Sequence, residues 1–233
     1  MTTVFDISAD RAIFRKPYTT TSSQSYPFPP PSTVAGIISA ILGFRNNSDQ
    51  NSTNAHYWQQ MKDTRIAIKL NHSVRWETHS LNYYNTKSGN RSIRTQIKHQ
   101  FLKQPSFRIF VQGELEQPLS EALKAERFVF TPYLGVAYAL ADVLYIGRLV
   151  EERVKTCEVH TIIPCHTTLP EPDMKRNLSM NISEVPFEFT PDRSLKSLEK
   201  VIYKMDGSSV FLKRPSEDIQ KIGTDHVMWF PYW

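Results

Sequence analysis

Lys98 and His99 are the residues whose types most directly suggest chemistry. A histidine can move the proton of a ribose 2′-hydroxyl. A lysine can stabilise the charge that builds on phosphorus during the attack, so the pair could serve a metal-independent ribonuclease. Tyr26 could assist. Adjacency argues against the pair, because neighbouring side chains of a strand point to opposite faces. The plainer reading gives Lys98 a phosphate contact and His99 a structural or stacking role. Cys157, His160, Cys165 and His166 are of zinc-ligand types. Their segment alternates as a strand, with Cys157, Val159 and Thr161 on one face and His160 on the other. That spacing matches no usual zinc pattern, so neither a metal nor a cofactor is expected. Walker and dinucleotide loops, a Gly-x-Ser-x-Gly elbow and His-Glu-x-x-His are all absent from the sequence.

The charge is concentrated. The formal net charge is +5, yet residues 62–108 hold ten basic and two acidic side chains. Arg75, Lys87, Arg91, Arg94 and Lys98 lie there, interleaved with Trp76, Tyr83 and Tyr84. Such a mixture suits a nucleic-acid backbone with stacked bases; the alternative is a solvated hairpin with ordinary surface charge. Two cysteines predict a reducing compartment without disulfides. No apolar run approaches a membrane span and the first residues do not read as a signal peptide, so a cytoplasmic protein without membrane contact is expected.

Several elements must position these groups. Residues 22–43 run from a polar stretch through Pro29-Pro30-Pro31 into a helical pattern. Prolines hold the approach extended, while Val34, Ile37, Ile38, Ile41 and Leu42 share one helical face. The pattern predicts a helix over 32–43 with Ser32 as N-cap and Gly43 just past its end. Its N-terminus is either the start of a core helix with a stiff approach or an anion site made of free amides. Residues 3–9, 65–70, 107–111 and 143–149 read as strands, 118–125 and 136–142 as helices, and 71–105 as a protruding β-hairpin with its tip near Gly89. The order over residues 1–150 is β, α, β, hairpin, β, α, β. This is an α+β, ferredoxin-like order, shared with RRM domains whose sheet faces single-stranded RNA. Residues 151–233 read as a smaller β-rich appendage. The aromatic stretch Met228 to Trp233 either docks on the domain or meets a partner.

Phe14-Arg15-x-Pro17 and the run from Ser25-Tyr26 through Phe28-Pro29-Pro30-Pro31-Ser32-Thr33 to Leu42-Gly43 resemble the N-terminal motif of CRISPR-associated protein family five, of the RAMP superfamily. Thr131-Pro132-Tyr133-Leu134-Gly135, then Ala139-x-Ala141-Asp142-Val143, is a second match. The resemblance covers the first 150 residues or so. It implies a ferredoxin-like RAMP body with a thumb-like hairpin, a subunit of type I Cascade. Such a subunit binds the 5′ handle of the crRNA, caps the backbone filament, touches the large subunit and meets target DNA through the assembled complex. On this resemblance Arg15, Lys16, Tyr26, Ser32 and Thr33 would line the handle pocket, and Arg75, Lys87, Arg91, Arg94 and Lys98 would contact phosphates. The proline-rich approach looks closest to the non-cleaving type I-B branch, including versions serving transposons. Another branch cuts pre-crRNA with Tyr, Lys and His, for which Tyr26, Lys98 and His99 are the equivalents. Val136-Ala137-Tyr138 replace a polar pair and a Cys found in many members, which puts any role of that pair in doubt. A standalone RNA-binding protein is a third possibility.

Overall fold

The computed structural model describes residues 1–19, 22–46, 54–84, 94–165 and 171–233. The chain begins with β1 (Thr2–Ser8), β2 (Arg11–Ala12), β3 (Phe14–Arg15), β4 (Ser22–Ser23) and β5 (Ser25–Tyr26), then helix α1 (Pro31–Leu42) and the single turn α2 (Tyr57–Gln60). There follow β6 (Thr64–Leu70), β7 (Trp76–Tyr84), β8 (Arg94–Lys103), β9 (Ser106–Gly113), α3 (Glu116–Lys124) and β10 (Asp142–Leu149). The remainder is all strand: β11 (Glu151–Arg153), β12 (Thr156–Val159), β13 (Ile163–Pro164), β14 (Met180–Phe189), β15 (Leu195–Lys204), β16 (Val210–Ser216), β17 (Gln220–Ile222) and β18 (Asp225–Val227).

The central sheet is antiparallel in the order β10-β1-β9-β6. Alternation puts Phe5, Ile7, Ile66, Ile68, Ile109 and Val111 on one face. There they pack with Val34, Ile37, Ile38 and Ile41 of α1 and Leu119 and Leu123 of α3. The helical spacing of these α1 residues gives one continuous apolar stripe, and that stripe fixes α1 against the sheet.

The second face is covered over β1, β9 and β6, while Leu144 and Ile146 of β10 stay exposed. Val4, Ala67 and Phe110 are buried there against Ile222, Val227 and Trp229. An RRM-type sheet presents this face to single-stranded RNA; here the C-terminal segment occupies it. Polar groups complete the cover. Arg108 on β9 donates to Asp6 on β1 at 2.8 and 3.0 Å and to Asp225 on β18 at 3.1 Å. Lys69 on β6 reaches the other oxygen of Asp225 at 2.5 Å. Burial opposes ionisation of Asp225, yet His160, Lys69 and Arg108 hold its carboxyl well below the ordinary range.

The aromatic stretch docks. Met228, Trp229 and Phe230 are buried. The Phe230 N–H donates to Ile66 O at 2.9 Å and the Trp233 N–H to Thr64 O at 3.1 Å. The Ile162 N–H donates to Ile68 O. These bonds cover the outer edge of β6, which would otherwise be a template for strand addition. Residues 151–233 form one buried cluster of their own around Val159, Ile202 and Val210. They also supply Ile162, Val185, Phe187, Val201, Tyr203 and Phe230 to the principal core.

Some expectations need correction. The helix begins at Pro31, with Pro30 as N-cap and no side-chain cap, so Ser32 lies inside it. A proline in the first helical position has no amide to satisfy and its φ is already helical, which makes a Ser cap dispensable. Gly43 ends the helix at φ 80°, as its type predicts. Helix α3 starts at Glu116 rather than Pro118. Residues 136–142 are a turn entering β10, not a helix. The Leu134 N–H donates to Ala139 O while Leu134 O accepts from Ile13, and these bonds fold the segment onto β3. Gly135 is required there: at φ 87° a Cβ would stand 2.0 Å from Ile13 O.

Replacing Phe230 by Ala should cost about 3–5 kcal/mol in denaturant unfolding. Replacing the exposed Leu178 should cost within about 0.5 kcal/mol. Equal effects would mean that the tail is not part of the core.

Candidate nucleic-acid interface

Strands β7 and β8 pair antiparallel from Trp76↔Leu102 to Tyr84↔Arg94. Residues opposite one another share a face. One face therefore carries Arg94 and Lys98 with Tyr84, Asn82 and Ser80. The other carries His99 and Phe101 with Tyr83 and His79. Arg94 and Lys98 are exposed, and the Arg94 guanidinium lies 5.9 Å from the Tyr84 ring. Arg75 is exposed at the foot of the pair, where its carbonyl accepts from the Lys103 N–H. Lys87, Arg91 and Gly89 lie outside the described residues, as does His166.

His99 is held by aromatic rings. Its ring stacks between Tyr83 (5.8 Å, 28°) and Phe101 (6.0 Å, 22°), and its Nε2 is 3.1 Å from Tyr83 Oη. Burial and then the Arg15 charge push its pKa down, which favours the neutral ring at pH 7. Lys98 and His99 point to opposite faces, as strand geometry requires. The tyrosine on His99 is Tyr83. Tyr26 is buried at 5% exposure beside Lys16, whose Nζ lies 5.6 Å from the Tyr26 ring centre. Burial, Tyr18 and Glu184 raise the Tyr26 pKa.

The segment before α1 ties the hairpin to the body. Strand β4 runs parallel to β8, with Ser22↔Lys98 and Ser23↔His99. Strand β2 pairs Arg11 with Lys103, and Arg11 also forms an ion pair with Glu77. Strand β3 carries exposed Arg15 next to Ser25 of β5, and Arg15 Nη2 donates to Thr19 O at 2.9 Å. The Arg15 charge acts on His99, so Arg15 stands toward the ring-bearing face at the base of the hairpin, while Lys98 points to the other face.

The start of α1 borders a cavity of about 590 Å³ lined by Thr33, Gly36, Tyr57, Trp58, Tyr133 and Arg193, among others including Ser32. A Cβ added at Gly36 meets nothing within 4 Å, so the helix backbone is open there. The amide cradle is smaller than expected. Pro31 has no N–H, and the Thr33 and Val34 amides donate to Pro30 O at 2.8 and 3.1 Å. That leaves only the Ser32 amide of the first turn. The cavity instead offers aromatic faces, which stack bases without regard to sequence. Sequence reasoning gave Tyr57, Trp58 and Arg193 no role, because they come from a one-turn helix and the β14–β15 connection, where no motif marks a site.

Cys157 and Cys165 are free and partly buried. Burial and then Glu199 raise the Cys165 pKa. His160 faces Glu158 and His226 rather than either cysteine.

Known proteins share this arrangement of sheets. A chain from a "CRISPR RNA-guided surveillance complex" superposes with a TM-score of 0.55 at 14% identity, covering 93% of this chain and 92% of the other. A "CRISPR protein from Archaeoglobus fulgidus" gives 0.53 at 14% identity over 97% and 98%. A chain of a "Type III-B Cmr-beta bound to cognate target RNA and AMPPnP" gives 0.52 at 12% identity over 89% and 86%. No curated protein matches the sequence. The β-rich fold is thus one found among CRISPR proteins. The family model described as CRISPR-associated protein (Cas_Cas5) matches residues 2–161, and the chain belongs to that family.

Replacing Arg15 by Ala should raise the His99 pKa toward its ordinary value, because a neighbouring positive charge disfavours the imidazolium. An NMR titration of the His99 ring reads this directly. An unchanged midpoint would show that Arg15 and His99 do not share a surface.

Proposed function

We propose that this chain is a non-catalytic RNA-binding subunit of a type I CRISPR effector. In this reading it grips the 5′ handle of the crRNA, caps the backbone filament and contacts the large subunit, in the manner of the type I-B branch. The observation that carries the proposal is the sorting of the β7–β8 pair, with exposed Arg94 and Lys98 on one face and a column of rings on the other. We read the β10-β1-β9-β6 sheet with α1 and α3 as a ferredoxin-like RAMP frame. The β7–β8 pair is its thumb. Phosphates track the cations of the thumb and of Arg15, while an unstacked base fits the aromatic cavity beside Gly36. Family membership over residues 2–161 supports this assignment. Target DNA is met through the guide in the assembled complex.

The Tyr83–His99 contact favours a second reading, a metal-independent nuclease acting on pre-crRNA. Against it stand Lys98 on the opposite face and a buried Tyr26. Incubation with repeat RNA in EDTA should leave the RNA intact. Specific cleavage that disappears in His99→Ala would replace the first reading with the second.

Arg94→Ala and Lys98→Ala should each weaken handle binding and reduce the salt slope by about 0.7, the share of one single-strand phosphate. Unchanged slopes would remove the hairpin from the interface. Gly36→Ala separates stability from function. It should gain up to about 1 kcal/mol of helix propensity while lowering RNA affinity, since the new methyl group enters the cavity. A variant that is more stable and binds fully would exclude that part of the cavity.

A further inference from the structure

Three ligating side chains converge where β12 meets β18: Glu158, His160 and His226. Their donor atoms all lie within 4.8 Å of one another. His160 Nε2 is 3.5 Å from Glu158 Oε1, and His226 Nδ1 is 3.7 Å from Glu158 Oε2. Both separations are too long for a good hydrogen bond. They suit two corners of a tetrahedron around an ion, because metal–ligand bonds of about 2.0–2.2 Å put the ligands roughly 3.3–3.6 Å apart.

The site is built rather than incidental. The imidazoles stack at 4.9 Å and 14°. The His160 N–H donates to His226 O, and the His226 N–H donates to His160 Nδ1, each at 2.9 Å. These backbone bonds aim Nε2 of His160 at Glu158. His226 Nδ1 is sealed from water and has no hydrogen-bond partner. With its lone pair toward the carboxylate, that buried nitrogen is unsatisfied until a cation lies between them. Ser209 Oγ donates to Glu158 Oε1 at 2.9 Å and steadies the carboxylate. Asp225 Oδ1 stands 3.5 Å from His160 Nδ1; a metal on Nε2 puts the ring proton on Nδ1, which then gives up the His226 N–H and donates to this carboxylate instead.

We propose that Glu158, His160 and His226 form a divalent transition-metal site, best suited to zinc, that fastens β12 to β18. Two imidazoles and a carboxylate are ligands zinc accepts, and three protein ligands leave a corner for water. His226 adjoins Asp225, which holds Lys69 and Arg108, so the ion secures the cover over the sheet.

The test uses the full chain freed of metal by a chelator. Zinc titration calorimetry should show one saturable ion per chain with a raised thermal midpoint, and Co2+ should give the absorption of a four-coordinate site. Glu158→Gln and His226→Ala should each weaken zinc at least about tenfold, while Cys157→Ser combined with Cys165→Ser leaves binding unchanged. Absence of saturable binding, retention of full affinity in both ligand variants, or loss in the cysteine variant would overturn the proposal. Should His226→Ala fail to fold, the isosteric Glu158→Gln decides the matter alone.

Discussion

A buried carboxylate holds the two halves of the chain together. Asp225 is 3% exposed and pairs with Lys69 and Arg108, while Arg108 also grips Asp6. Three sheet strands and the C-terminal segment therefore meet at one charge. Such a network adds little stability over an apolar replacement, but removing one member leaves an uncompensated charge in a dry place. Its value is specificity: only one docking of β18 satisfies all four groups. With β18 in place, Val227 and Trp229 close over Val4 and Phe110. The face is occupied over β1, β9 and β6, which leaves the hairpin and the start of α1 as the open cationic and aromatic surfaces.

Much of the frame was legible in the sequence. Strand β6 shows Ile66, Ile68 and Leu70 at alternate positions, and α1 shows its stripe, because both meet the principal core on one side. The C-terminal strands were less legible. Only the buried stretches of β14 and β15, Val185 to Phe187 and Val201 to Lys204, carry an apolar pattern, and the rest of both strands is more exposed. The turn at 136–142 was misread because Val136, Ala137, Tyr138, Ala139 and Leu140 look helical in isolation. Gly135 and the bonds of Leu134 to distant residues decide the conformation instead.

The site was legible in type more than in arrangement. Sequence reasoning expected Lys98 and His99 to point apart, and strand pairing places them so. It could not foresee that Tyr83 rather than Tyr26 would lie on His99, since this depends on the register of β7 against β8. It weighed Cys157 with His160 because they are close in sequence. His226 lies 66 residues beyond His160 and reaches it only through the fold. The start of α1 read as either a core helix with a stiff approach or an anion site of free amides, and Pro30 O takes the amides of Thr33 and Val34. Nearby, Gly36 leaves the backbone open where a larger residue would have improved the helix.

The bonds that cover β6 also bear on how the protein is made. Asp225 lies 156 residues downstream of Lys69, and the covering residues Phe230 and Trp233 come later still. From the end of β9 at Gly113 to Asp225, synthesis at about 5–20 residues per second leaves the sheet waiting for roughly 6–22 seconds with an open edge and an uncovered Phe110 face. For that interval the nascent chain carries the hazards of an unpaired strand. The order of synthesis thus leaves the last residues of the chain to close the edge that β6 opens early.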